Sequence, residues 1–174
     1  MGEIDAPHII GRSLHHYPVA AIVYGRANGH QGLLLPGQGG HSLYVGVDLI
    51  EIERIGLTYS RYPRRFLEKI YTPAEQAYCR GRAPQLASRF AAKEAVMKAL
   101  GTGVRGVSWR DIEIQRKRGR APEIVLHDRA KARAEKMGIV RIAVSLSHSR
   151  EFAIASVVAQ TAESPASEGR TTQD

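Results

Sequence analysis

The sequence predicts an α+β fold, an antiparallel sheet packed on helices, and three observations carry that reading. Leu43–Tyr44–Val45–Gly46–Val47–Asp48–Leu49 has the apolar, β-branched make-up of a strand. Asp111–Ile112–Glu113–Ile114–Gln115 alternates as a half-buried strand, and Glu123–Ile124–Val125–Leu126 returns as its hairpin partner across the turn Arg118–Gly119–Arg120–Ala121–Pro122. Between these strands, Arg89 to Leu100 is built of helix formers, with Ala92, Val96, Ala99 and Leu100 at core-facing helical spacing. Strands in hairpins, mixed with helices, argue against alternating parallel units.

The elements follow in chain order. Residues 1–42 hold five of the seven histidines, eight of the 17 glycines and four charged side chains, and Gly37–Gln38–Gly39–Gly40 reads as a linker. We expect this stretch to be a disordered extension. Its histidines, His8, His15, His16, His30 and His41, repeat no metal-ligand spacing. The first strand, with Gly46 marking a close backbone approach, gives way to a short amphipathic helix over Ile50–Glu51–Ile52–Glu53–Arg54–Ile55. Thr72–Pro73–Ala74–Glu75 is a capping box with proline at the first helical position, opening a helix towards Arg80. The Arg89 helix stops at Gly101. After the hairpin, Asp128 to Met137 is a charged helix stopped by Gly138, and Ile139 to Ser147 and Glu151 to Ala159 read as two more strands. Thr161 to Asp174 is a polar stretch expected to be a disordered tail. The domain is therefore placed over residues 43–160.

Composition narrows the class. At 174 residues one domain is expected, and no apolar run of membrane-spanning length occurs. Met1–Gly2–Glu3–Ile4–Asp5 is acidic and precedes no long apolar block, so no signal peptide is expected. A lone Cys79 forms no internal disulfide and suits a cytoplasmic setting. Residues 43–160 carry 22 lysines and arginines against 12 acids, a formal +10. Nucleic acid is the generic partner for such a charge, but aromatics do not interleave with the basic residues and no recognition motif appears. Neither nucleic acid nor membrane is expected as a partner.

The chemistry lies in two acids. Glu94 and Lys98, four apart on one helix, share a face, and alone they read as a surface ion pair. Asp48, an isolated acid in an apolar strand, changes that reading. Charges in apolar surroundings need compensation, and two carboxylates make an incomplete shell suited to Mg²⁺ completed by water and phosphate oxygens. Arg89, Lys93 and Lys98 add positive charge for a polyanion, and Gly101–Thr102–Gly103 offers open backbone donors. The set predicts a metal–pyrophosphate site, without a Walker A loop or kinase signature. The competing reading is a non-catalytic basic module that binds nucleic acid or a carrier protein.

Val45–Gly46–Val47–Asp48–Leu49–Ile50–Glu51–Ile52–Glu53–Arg54–Ile55, the helix Arg89 to Gly103, and Val144–Ser145–Leu146–Ser147–His148–Ser149 together resemble the three signatures of the holo-acyl-carrier-protein synthases, the small single-copy group of 4′-phosphopantetheinyl transferases. The resemblance spans Leu43 to Gln160 and implies that family's fold. It implies transfer of phosphopantetheine from coenzyme A to a serine of apo acyl carrier protein, with release of 3′,5′-ADP, in support of fatty acid biosynthesis. It further implies that Asp48 and Glu94 hold Mg²⁺ and that Glu94, directly or through a metal-bound water, activates the serine. Lys98 would lie against the phosphates, and Arg89 and His148 would contact coenzyme A. Arg54, Arg61 and Arg64 match positions that meet the acidic helix of the carrier protein, and the family's homotrimer implies shared clefts.

Overall fold

The computed structural model describes residues 41–117 and 119–162. The remainder of the expected extension and tail, together with Arg118 of the hairpin turn, lies outside the described residues. The elements run β1 (Leu43–Glu51), α1 (Ile52–Arg61), α2 (Pro63–Ile70), α3 (Pro73–Cys79), α4 (Ala83–Ala99), β2 (Ile112–Gln115), β3 (Glu123–Leu126), α5 (Asp128–Lys136), β4 (Ile139–His148) and β5 (Phe152–Thr161). A 3-10 turn over Trp109–Asp111 leads into β2.

Two antiparallel sheets result: β1–β5–β4, with β5 in the centre, and the β2–β3 hairpin. The first strand alternates strictly from Val45 onward, with Gly46, Asp48 and Ile50 inward and Val45, Val47, Leu49 and Glu51 outward. Ala153, Ala155, Val157 and Ala159 of β5 share the inward face. These small side chains leave room for α4, which lies against that face. A methyl group on Gly46 would overlap the Ala95 carbonyl oxygen and come within 2.9 Å of Ala99 N, so only glycine allows this approach.

Buried on nearly every side, α4 is the centre of the core. Leu86, Val96, Met97 and Leu100 are almost wholly enclosed, each contributing roughly 1.5–3 kcal/mol by burial. Beyond its first turn only Phe90, Glu94 and Lys98 reach partial exposure, one turn apart on a single stripe.

Several boundaries differ from the sequence expectation for physical reasons. The first strand runs to Glu51, because Ile50 and Glu51 stay paired with Ala153 and Phe152, and α1 begins only at Ile52. At the far end, β5 reaches Thr161, which exchanges hydrogen bonds with Ser42. The second strand is buried rather than half-exposed: Glu113 is enclosed because its carboxylate is held by Gln115 and His127, each at 3.0 Å. Asp111 lies in the 3-10 turn rather than the strand, where its carboxylate accepts from Ser108 N. The Thr72 capping box forms as expected, with Glu75 accepting from Thr72 N at 2.9 Å.

Candidate active site

Asp48 projects from the inward face of β1 towards the exposed stripe of α4. Lys98 Nζ lies 2.9 Å from Asp48 Oδ1 and donates to the Val47 carbonyl at 2.8 Å. The lysine therefore pairs with the strand acid across the helix–strand seam, not with Glu94 on its own helix as a surface pair would. Burial pushes the Asp48 carboxyl above its ordinary pKa, opposed first by the Lys98 hydrogen bond and then by the charges of Lys98 and Arg54. Glu94 is raised as well, chiefly by burial and then by the charge of Asp48, with Lys98 opposing.

Two carboxylates within reach of each other's charge, Asp48 buried and Glu94 partly exposed, are the donor chemistry of a hard dication. Among the described residues no group of three His, Cys, Asp or Glu side chains gathers to hold a metal. The protein side of such a shell is thus two oxygens ligands strong, and the residues present fit an ion whose other ligands are water and substrate.

The structure corrects two of the sequence assignments around this pair. Lys93 is not available to coenzyme A: its side chain points into the core, fully enclosed, 2.8 Å from Glu75 Oε2. Its ammonium also donates to the Trp109 carbonyl at 3.0 Å and to the Ile112 carbonyl. Burial pulls its pKa down, yet three acceptors match the three hydrogens of the charged form, and we take it as protonated. Nor are Gly101 and Thr102 open donors. Their amides close the end of α4 onto Lys98 O at 3.0 Å and Met97 O at 2.9 Å, leaving Gly103 with open space around it.

Arg89 is 3% exposed, with its guanidinium 4.0 Å from the Tyr78 ring centroid. Its Nε and Nη2 are buried without a hydrogen-bond partner. Such orphaned donors are uncommon and mark a cation able to accept an anion. His148 ends β4 exposed, its ring against Ser149 O at 3.2 Å. Its register partner is Ala153, and β5 separates it from β1 by two strand spacings, roughly 10 Å. Within one chain it stands apart from the acidic pair. Arg54 opens α1 close enough for its charge to act on Asp48. Arg61 packs over the Tyr62 ring at 5.4 Å, and Arg64 pairs with Glu68 at 2.8 Å on an exposed surface.

Sequence reasoning missed the Glu75–Lys93 pair as a buried joint, although the capping box placed Glu75 correctly. Glu75 also accepts from Ile114 N at 3.0 Å, so one carboxylate ties α3, α4 and β2 together. A lysine within an otherwise small, apolar helix face was the available signal.

The chain as a whole, rather than this seam alone, has relatives among known proteins. Residues 44–157 match the family model of the 4′-phosphopantetheinyl transferase superfamily. The holo-[acyl-carrier-protein] synthase of Moorella thermoacetica is 50% identical over 116 residues, covering 65% of this chain and 90% of that relative. That of Dehalococcoides mccartyi is 50% identical over 118 residues, covering 68% and 98% respectively. Among solved structures, Helicobacter pylori holo-[acyl-carrier-protein] synthase in complex with coenzyme A superposes with TM-score 0.61 at 35% identity, covering 66% of this chain and 98% of that one. The chain belongs to the 4′-phosphopantetheinyl transferase superfamily and, within it, to the group of the holo-[acyl-carrier-protein] synthases.

Proposed function

We propose that this protein transfers 4′-phosphopantetheine from coenzyme A to a serine of an apo acyl carrier protein, releasing adenosine 3′,5′-bisphosphate, and so supports fatty acid biosynthesis. The observation that carries the reading is the meeting of Asp48, Glu94 and Lys98 at one seam between β1 and α4. In the reaction the serine oxygen bonds to the phosphorus that bears pantetheine. The bond from that phosphorus to the bridging pyrophosphate oxygen breaks, and its electron pair leaves with the adenosine bisphosphate.

Asp48 and Glu94 would hold Mg²⁺, which when bound supplies charge neutralisation at the pyrophosphate. Glu94, with its raised pKa, is suited to receive the serine proton. Lys98 reaches the same place and is suited to stabilise charge on the leaving oxygen. The orphaned Arg89 donors support a phosphate contact for coenzyme A. Arg54, Arg61 and Arg64 give the α1–α2 surface the charge to meet an acidic carrier helix.

A homotrimer is part of the proposal. The outward sheet face exposes Val45 (60%), Val47 (47%), Leu49 (47%), Ile154 (40%) and Val158 (41%) side by side across β1 and β5. A contiguous apolar face of this kind is suited to a subunit interface. A trimer would also let His148 reach a ligand bound on a neighbouring subunit. The single buried thiol of Cys79, its pKa pushed up to about 11 chiefly by burial, supports a cytoplasmic setting. The test is intact-mass measurement of an apo acyl carrier protein after incubation with coenzyme A, Mg²⁺ and this protein. One phosphopantetheine adduct is expected, and its absence on every apo carrier tried would refute the assignment.

A further inference from the structure

The Lys98 side chain is folded against β1, with its ammonium held by both Val47 O and Asp48 Oδ1. It is largely withdrawn from solvent, as is its partner carboxylate. Asp48 thus already has a cation. A dication arriving at Asp48 and Glu94 meets that ammonium at the same carboxylate, and two cations on one side chain repel strongly in a partly buried site. A polyanionic ligand reverses the balance, because a pyrophosphate offers the ammonium oxygens of its own.

Resting on the reading that Asp48 and Glu94 hold a dication, we propose that Lys98 is a placeholder for the metal. It occupies Asp48 until a pyrophosphate-bearing ligand draws it off, so that metal and ligand bind cooperatively through this one side chain. The lysine then has two positions, strand-bound before the ligand arrives and phosphate-bound afterwards. It guards the buried Asp48 and its partly exposed partner Glu94 against carrying uncompensated charge in the free protein. By linkage, whatever the ligand gains in metal affinity the metal returns in ligand affinity.

The experiment titrates full-length protein with Mn²⁺, followed by electron paramagnetic resonance, with and without saturating coenzyme A. Lys98→Met should bind Mn²⁺ alone at least ~5-fold more tightly than wild type, the low end of typical site-to-site coupling. The tightening produced by coenzyme A should be smaller in the variant than in wild type. Arg54→Met serves as the control for charge removal alone, since Arg54 acts on Asp48 only through its field. It should give the smaller gain. Lys98→Gln gives a second neutral side chain if the methionine variant is unstable by circular dichroism. Mn²⁺ affinity unchanged in the Lys98 variants, or a gain from Arg54→Met as large as theirs, would overturn the placeholder while leaving the metal site standing. Mn²⁺ binding that is absent from wild type even with coenzyme A would overturn the metal site and the placeholder together.

Discussion

At Gly46 and Ala95 the backbones of β1 and α4 come near enough that a β-carbon on the glycine would occupy the space of the alanine carbonyl. The contact has a functional consequence. Asp48 lies two residues along the strand from Gly46, and Glu94 and Lys98 flank Ala95 on the helix. The distance between the site's two halves is therefore set by a missing side chain. Gly46→Ala should push strand and helix apart, costing about 3 kcal/mol or more of stability, which thermal or urea unfolding will measure. The folded remainder should lose transfer activity out of proportion to its lost stability, because Asp48 is displaced from Glu94.

Lys93 gives a second prediction, and it separates the structure's reading from the sequence's. Lys93→Met leaves Glu75 as a buried, unpaired carboxylate and should cost about 3–5 kcal/mol. Below the resulting transition temperature, the KM for coenzyme A should stay close to wild type. A large rise in that KM in a variant of wild-type stability would return Lys93 to the ligand site.

Much of this was legible beforehand, and the failures have a common physical cause. Strand, capping box, hairpin and helix stop each depend on residues a few positions apart, which a linear reading senses directly. Gly46 announced a close approach, and Asp48 in an apolar strand announced compensation. What the linear reading passed over for Lys93 was rotation about α4: Lys93 and Glu94 are neighbours in sequence but about 100° apart around the helix, so one enters the core and the other the site. The spacing Phe90–Glu94–Lys98 held that information, while the string of basic residues around Glu94 obscured it. Likewise Gly101 and Thr102 looked like free donors because the Schellman-type closure that consumes their amides is formed with residues of the preceding turn.

The outward sheet face carries a third prediction. Ile154, paired across the sheet with Leu49, lies amid that apolar surface. Ile154→Arg should convert a species of about three chains into monomers by light scattering, and transfer should fall with it if the proposed trimer shares its clefts between subunits. Full activity in a monodisperse monomer would remove the trimer from the account.

Carrier recognition gives the fourth. Reversing Arg61 and Arg64 to Glu should raise the KM for carrier protein strongly and leave that for coenzyme A nearly unchanged. Arg64 spends part of its charge on Glu68, so Arg61 should account for more of the effect when each is changed singly. The wild-type KM should climb with salt as the Debye length contracts from ~10 Å at 0.1 M to ~3 Å at 1 M. The double variant should respond less.

The proposed site depends on the charge of the Asp48–Glu94 pair. Because burial raises both carboxyls, their ionisation destabilises the free fold as pH climbs from the ordinary carboxylate range up through their raised pKa values. Metal binding needs both ionised, so affinity should fall on acidification at a pH above that range. Glu94→Gln removes the penalty and should raise the transition temperature of the free protein at neutral pH. The most direct measurement is the initial rate of phosphopantetheine transfer against Mg²⁺ concentration in wild type, Asp48→Asn and Glu94→Gln. Both variants, folded and given saturating Mg²⁺, should fall by about two orders of magnitude or more, since a preorganised charge at the reacting centre is lost. Near-wild-type rates in both would contradict it.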